Sequence, residues 1–360
     1  MPDKLRIMLI GPATPEPGGT TVSFRHLRHA LCSQPQTVVT VLDSYGIRGS
    51  GIRAPLRLLR LLRGVVLGAR RHDVISLHAM PTALPYVAWF LPLIAKLYGK
   101  PLIYRSFGGM YYDELSWPKR MLARHVLRRA NVVLLQTREL MEKAACDRLR
   151  RVEWFPTARP MPAEVPLRTG SCRRFAYVGH LKVTKGLQYL VRAAELLPSD
   201  ASLDVYGPWY DLPRNAFNDC RKVRYRGVLD IEEVVPTLRN YDALVFPTFM
   251  PEEGHSGIIP EAYAAGIPVI ATRWKALPEI VEDGVTGLLV EPQDSRALLD
   301  AMLRLYDDAA LYRRLVAGTQ AKRKQFSLEE QVGHFLRICR ELAAMAPFES
   351  AASPNGRRPQ

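Results

Sequence analysis

Two glutamates, Glu253 and Glu261, stand with seven residues between them in "PEEGHSGIIPEAYAAG". The first lies in a glycine-containing loop after the apolar run "DALVFPT"; the second enters a helix-like run. Ionised carboxylates are strong acceptors for paired hydroxyls, which is how vicinal diols are held. A loop-plus-helix placement would direct both into one cleft, about a sugar's length apart. The backbone N–H groups of His255, Ser256 and Gly257 would face the same ligand. Spacing alone does not exclude two solvated glutamates.

Three further stretches carry usable chemistry. In "YVGHLKVTKG", Lys185-Gly186 stand where a helix begins, and a lysine at a helix N-terminus is a favourable seat for a pyrophosphate. Gly18 and Gly19 lie between a strand ending at Gly11 and a helix beginning near Thr20. They allow a tight turn and a close approach to a ligand. Their pattern is neither GxGxxG nor GxxxxGK[ST], which weakens a dinucleotide or P-loop reading; a plain strand-to-helix turn is the alternative. His78 ends the strand "DVISLHA", where it would bond a sugar hydroxyl or a phosphate, or simply close the strand. After "VRYRG", the backbone of Val228 and Leu229 is placed to pair with a base edge.

The elements that must position these residues alternate. Apolar β-rich runs without strict alternation ("LRIMLIGP", "TVVTVLD", "DVISLHA", "PLIYRSFG", "NVVLLQT") are separated by helical stretches, which implies a parallel sheet covered on both faces. The proline-rich "WFPTARPMPAEVPLRTGS" reads as a linker, and alternation restarts at "RFAYVGH". The 360 residues therefore divide into two doubly wound α/β units facing a cleft. The expected bounds are 1–165, with the linker from about 154, and 166–326. A helix over 327–346 would pack back on the first unit, leaving a disordered tail at 347–360. "LPYVAWFLPLIAKLY" (84–98) reads as one buried helix, too short to cross a bilayer.

The formal charge is +15 and the pI about 9.8, so anionic partners are favoured. Five scattered cysteines without CxxC spacing indicate neither zinc ribbon nor disulfide framework and fit a reducing compartment. The first ten residues are too short for a signal-peptide core, so a cytoplasmic location is expected.

"EGHSGIIPEAYAAGIPVIATRWKALPEIVEDGVTGLLVEPQD" resembles the E-x7-E block of the retaining GT-B glycosyltransferases of family 4. "VGHLKVTKGLQYLVRAA", "YRGVLDIEEVVPTL" and "YDALVFPT" follow the family's order, and the resemblance covers about residues 4–340. It implies a GT-B fold and transfer of a sugar from a UDP- or GDP-sugar to a hydroxyl with retention, by same-face attack through an oxocarbenium-like state. Carried over, Glu261 would hold the ribose and Glu253 would contact the donor sugar near the reacting face. Lys185 would hold the pyrophosphate, the Gly18-Gly19 turn would close on it, and the Val228–Leu229 region would contact the base. Catalysis is thus assigned to Glu253 and Lys185, with His78 as a further candidate. No metal or other cofactor is implied.

Two positions depart from the pattern. The usual arginine after the first glycine is His180, so His180, or Lys182 as its substitute, would serve the diphosphate. The usual histidine of the fourth strand end is Phe107, so its contribution is either absent or supplied by His78 or Arg105. "SFGG" resembles some bacterial polysaccharide-assembly members. "RAPLRLLRLLRGVVLGARR" carries six arginines and no acid, with leucines and valines on the opposite arc. It reads as a basic amphipathic helix whose Arg57, Arg60 and Arg63 would contact an anionic membrane, or as a domain helix with solvated arginines. The expected acceptor is a glycan, a polyprenyl-diphosphate-linked sugar or a glycolipid at the inner membrane face. The competing readings are a catalytically degenerate GT-B binding partner and a nucleic-acid-binding protein; the latter lacks any motif beyond charge.

Overall fold

A computed structural model describes residues 4–13, 18–47, 53–165, 168, 170–218 and 220–345. Pro166 of the linker and the tail from 347 fall outside them.

The first half builds a six-stranded parallel sheet from β1 (Leu5–Gly11), β2 (Thr37–Asp43), β3 (Val74–Ala79), β4 (Leu102–Ser106), β5 (Val132–Leu135) and β6 (Val152–Trp154), in the order β2-β1-β3-β4-β5-β6. Helices α1 (Gly19–Cys32), α2 (Arg53–Ala69), α3 (Leu84–Val87), α4 (Leu91–Leu97), α5 (Trp117–Arg129) and α6 (Arg138–Ala145) connect these strands. β3 and β4 are buried along their whole length. That follows from covering both faces of a parallel sheet, and it explains why neither strand alternates.

The second half repeats the plan with β7 (Arg174–Val178), β8 (Ser202–Tyr206), β9 (Val223–Tyr225), β10 (Ala243–Phe246), β11 (Val269–Thr272) and β12 (Gly287–Val290), all parallel. Between and after them run α7 (Leu187–Glu195), α8 (Val234–Leu238), α9 (Ile258–Ala265), α10 (Leu277–Ile280), α11 (Ser295–Asp307) and α12 (Ala309–Lys322). The strand order, β9-β8-β7-β10-β11-β12, is that of dinucleotide-binding sheets. Its direction reverses between β7 and β10, so the loops after these two strands diverge and leave a crevice at their carboxyl ends. Lys185 lies in one of those loops and Glu253 in the other.

The last helix, α13 (Leu328–Met345), buries Val332, Phe335, Leu336 and Cys339 against the first sheet, in one cluster with Phe24 and Leu27 of α1. GT-B is the name of this architecture of two parallel-sheet units facing a cleft.

Several expectations need correction. The 84–98 run is not one helix but α3 and α4, broken at 88–90, because Pro92 lacks the N–H that a continuous helix needs and sits instead in the first turn of α4. It is also not wholly buried, since Trp89, Leu93 and Leu97 are exposed. On α2 the leucines do not all face inward: Leu61 and Val65 are buried, whereas Leu59 and Val66 are exposed beside the arginines. β6, α11 and α12 were not foreseen. Asp294 and Asp308 cap α11 and α12, each accepting two backbone N–H bonds.

Candidate functional site

A cavity of about 410 Å³ lies between the carboxyl ends of the two sheets. Residues singled out from the sequence line it: Gly18, Gly19, His180, Lys182, Lys185, Val228, Leu229, Glu253, His255, Ser256, Gly257 and Glu261. The two halves meet backbone to backbone beneath it. Gly109 N–H donates to the Glu252 carbonyl at 3.3 Å, and a Cβ on Gly109 would stand 2.2 Å from the Glu253 carbonyl oxygen. Only glycine permits that approach.

Both glutamates are already engaged. Lys185 Nζ donates to Glu253 Oε2 at 2.5 Å, and Thr248 Oγ1 donates to the same oxygen at 2.8 Å. Gly186 follows Lys185 with φ +77°, and a Cβ there would meet the Pro247 carbonyl oxygen at 2.0 Å, so the lysine's loop is pressed against the strand end that leads to Glu253. Glu261, in the first turn of α9, accepts from Arg159 Nε at 2.5 Å. Arg159 is buried, and its Nη1 also donates to Ser23 Oγ of α1 at 3.2 Å and to the Ala158 carbonyl at 3.0 Å. One guanidinium thus ties the first half to the carboxylate of the second.

His255 contributes backbone rather than ring chemistry. Its carbonyl accepts from Thr157 Oγ1 at 2.9 Å, while its fully buried ring turns away to Glu279, with Nε2 and Oε2 3.1 Å apart. Burial lowers the ring's pKa, although Glu279 opposes the shift. Glu279 also accepts from the backbone N–H of Arg138 (2.6 Å) and Glu139 (3.1 Å) at the start of α6. It therefore caps a first-half helix from the second half.

His180 stacks on Tyr210 at 6.4 Å between centroids, and Lys182 Nζ lies 3.9 Å over the same ring. Both residues border the cavity, so two groups stand where the resemblance leads one to expect an arginine.

The structure does not bring His78 to the cleft. Its ring is fully buried against Phe24, Phe107 and Phe335, with Nε2 2.9 Å from Ser76 Oγ. Burial holds its pKa well below the usual range. Arg105 does not replace it there: the guanidinium is buried between Phe107 and Phe155, where burial lowers its pKa to about 9. The side chain sequence reasoning missed is Arg159. It is the one cation in "PTARP", and the prolines around it read as linker. Gln136 and Thr157, joined at 2.8 Å, complete the first-half wall and carried no sequence signal.

With this geometry in place, comparison with known proteins defines the class. Residues 172–308 match the family model "Glycosyl transferases group 1". A D-inositol 3-phosphate glycosyltransferase of Corynebacterium diphtheriae is 26% identical over 296 residues, covering 71% of this chain and 68% of that protein. In two further relatives of that name the matched stretch spans 59% and 49% of the relative. The Anabaena protein Alr3699/HepE in complex with UDP superposes with a TM-score of 0.72 at 17% identity, over 94% of this chain and all of that one. Sucrose-phosphate synthase from Thermosynechococcus elongatus gives 0.74 at 18% identity, over 95% and all. The chain is a glycosyltransferase of the GT-B fold. Its second half carries the group 1 glycosyl transferase domain, and that domain supplies Lys185, Glu253 and Glu261.

Proposed function

We propose that the chain transfers a sugar from a UDP-sugar to an acceptor hydroxyl with retention of anomeric configuration, as the family 4 resemblance implies. The observation that carries this reading is the pairing of Lys185 with Glu253 at the reversal point of the second sheet, eight residues before Glu261 on α9. UDP is preferred to GDP because UDP is what the similarly folded HepE is described as binding.

In this reading the second half (166–326) binds the donor and the first half (1–165) presents the acceptor. Glu261 exchanges Arg159 for the ribose hydroxyls. The freed guanidinium stays at the cleft, within reach of the negative charge that the nucleotide brings. Lys185 neutralises the diphosphate as the glycosidic bond breaks, with His180, Lys182 and the Gly18-Gly19 turn beside it. Such preorganised charges cost no reorganisation at the moment of reaction. Glu253 accepts hydroxyls of the donor sugar, and the acceptor attacks from the face the diphosphate leaves, passing its proton to the leaving phosphate.

The acceptor is a glycan or a lipid-linked sugar of bacterial surface polysaccharide or glycolipid assembly. Arg57, Arg60 and Arg63, all exposed on α2, hold the enzyme on the inner face of an anionic membrane. Among the described residues no helix is long and apolar enough to cross a membrane, so contact of this kind is peripheral.

A thermal-shift panel of UDP, GDP and their common sugars tests the donor reading. At 100 times its dissociation constant a ligand stabilises the fold by about 2.7 kcal/mol. A shift with UDP and not GDP is expected. No shift with any nucleotide would contradict the donor assignment and favour the non-catalytic alternative.

A further inference from the structure

A second cavity, of about 550 Å³, opens at the end of the first sheet away from the cleft, where α4 and α5 finish and β4 and β5 begin. Lys96, Lys100, Arg128, Arg129 and Arg150 line it, and among the described residues no acidic side chain does. Among the described residues none of the five forms an ion pair; Arg129 Nη1 is 2.9 Å from His125 Nδ1. A helix dipole accounts for a cation or two at each helix end. It does not account for five that converge on one concavity and repel each other there. An anionic group in the cavity would relieve that repulsion.

The rim identifies the ligand further. Lys96 and Lys100 alternate along the chain with Leu93 and Leu97, which are 65% and 72% exposed, and Met345 at the cavity edge is 76% exposed. Arg70, just beyond the end of α2, holds its guanidinium 5.3 Å over the ring of Tyr98, the residue between Leu97 and Gly99. A soluble phosphate would need the cations but not the exposed apolar side chains. An anionic bilayer matches both, since headgroup phosphates meet cations and the acyl boundary takes apolar side chains.

We propose that this basic cavity seats the phosphate of an anionic lipid headgroup while Leu93, Leu97 and Met345 enter the acyl boundary. The site docks the first half on a membrane through α4, α5 and α13. It is independent of α2 and of the sugar-transfer reading.

Flotation of the full chain with phosphatidylcholine vesicles, with and without phosphatidylglycerol, tests this. The wild type should float only with the anionic vesicles and be released by salt. Each cation near such a surface is worth about five-fold, the equivalent of ~1 kcal/mol. The combined Lys96→Glu, Lys100→Glu, Arg128→Glu variant should therefore bind at least about 100-fold more weakly. Leu93→Ser with Leu97→Ser should also weaken binding, with no change in charge. The urea midpoint, measured on every variant, reports that the chain is folded. Wild-type-like flotation of the triple variant would overturn the proposal. So would binding of glycerol 1-phosphate or pyrophosphate through these cations by a protein that never floats, because that result would define a soluble-phosphate site. Loss of flotation in Arg57→Glu, Arg60→Glu, Arg63→Glu alone would leave the α2 contact standing and overturn this one.

Discussion

Replacing Glu261 with alanine should have two separable consequences, and the structure sets the size of each. The carboxylate pairs with Arg159, whose side chain is only 3% exposed. Removing it leaves a buried guanidinium with Ser23 Oγ and one carbonyl as partners. Breaking a buried pair from one side costs about 3–5 kcal/mol, so the urea midpoint should fall well below the wild type's. Independently, a hydrogen bond to a charged group is worth about 1.5–3 kcal/mol. Losing the proposed bond to the ribose should weaken UDP binding by about 10- to 150-fold. Arg159→Ala alone should also destabilise, because Glu261 is then left unpaired. The double variant should lose less than the sum, by about 0.5–3 kcal/mol. Urea denaturation and calorimetric UDP titration of the four proteins give both quantities. Additive stabilities would refute the latch between the halves, and an unchanged UDP affinity in Glu261→Ala would refute the ribose assignment.

Lys185→Met should lower kcat by a factor of about 100–1,000, the size of one lost oxyanion-type contact, and steady-state UDP release measures it. Gly109→Ala forces its methyl group against the Glu253 carbonyl; kcat/KM should fall more than the melting temperature does. Stability should decline as pH drops below 7. His26, held to about 4 by burial and then by Arg159 and Arg25, and the buried His78 and His255 all have folded pKa values below their unfolded ones. Below about 6.5 the unfolded chain therefore binds protons that the fold refuses, and each such histidine costs at most ~1.4 kcal/mol per pH unit, only between its unfolded and folded pKa values. Urea curves at pH 7, 6 and 5 should show this, and His78→Phe should reduce the slope; equal stabilities across the range would contradict it.

The E-x7-E spacing was readable because a strand-end loop and the helix after it have only one way to face the cleft of a parallel sheet. The same holds for Lys185 and for the Gly18-Gly19 turn. His78 misled because a strand terminus fixes where the backbone ends and not which face the side chain takes; its face is the aromatic layer under α1 and α13. Arg159 was hidden because its two side-chain partners, Glu261 and Ser23, lie more than 100 positions away along the chain. Pattern reading sees short-range periodicity and cannot anticipate a contact that forms only when both halves are folded. The exposed leucines of α2 and α4 escaped for a related reason, since amphipathic periodicity assigns an inner face without knowing how much of it the sheet can cover.

The central claim is that Lys185 and Glu253 act on a departing uridine diphosphate. The most direct measurement is UDP release from a panel of UDP-sugars by wild type, Lys185→Met and Glu253→Gln, in the presence of bacterial lipid extract, with NMR of the product's anomeric centre. The account predicts that one UDP-sugar turns over, that its product keeps the donor's configuration, and that both variants are slowed at least about 100-fold. An inverted product, or turnover that survives both substitutions, would contradict it.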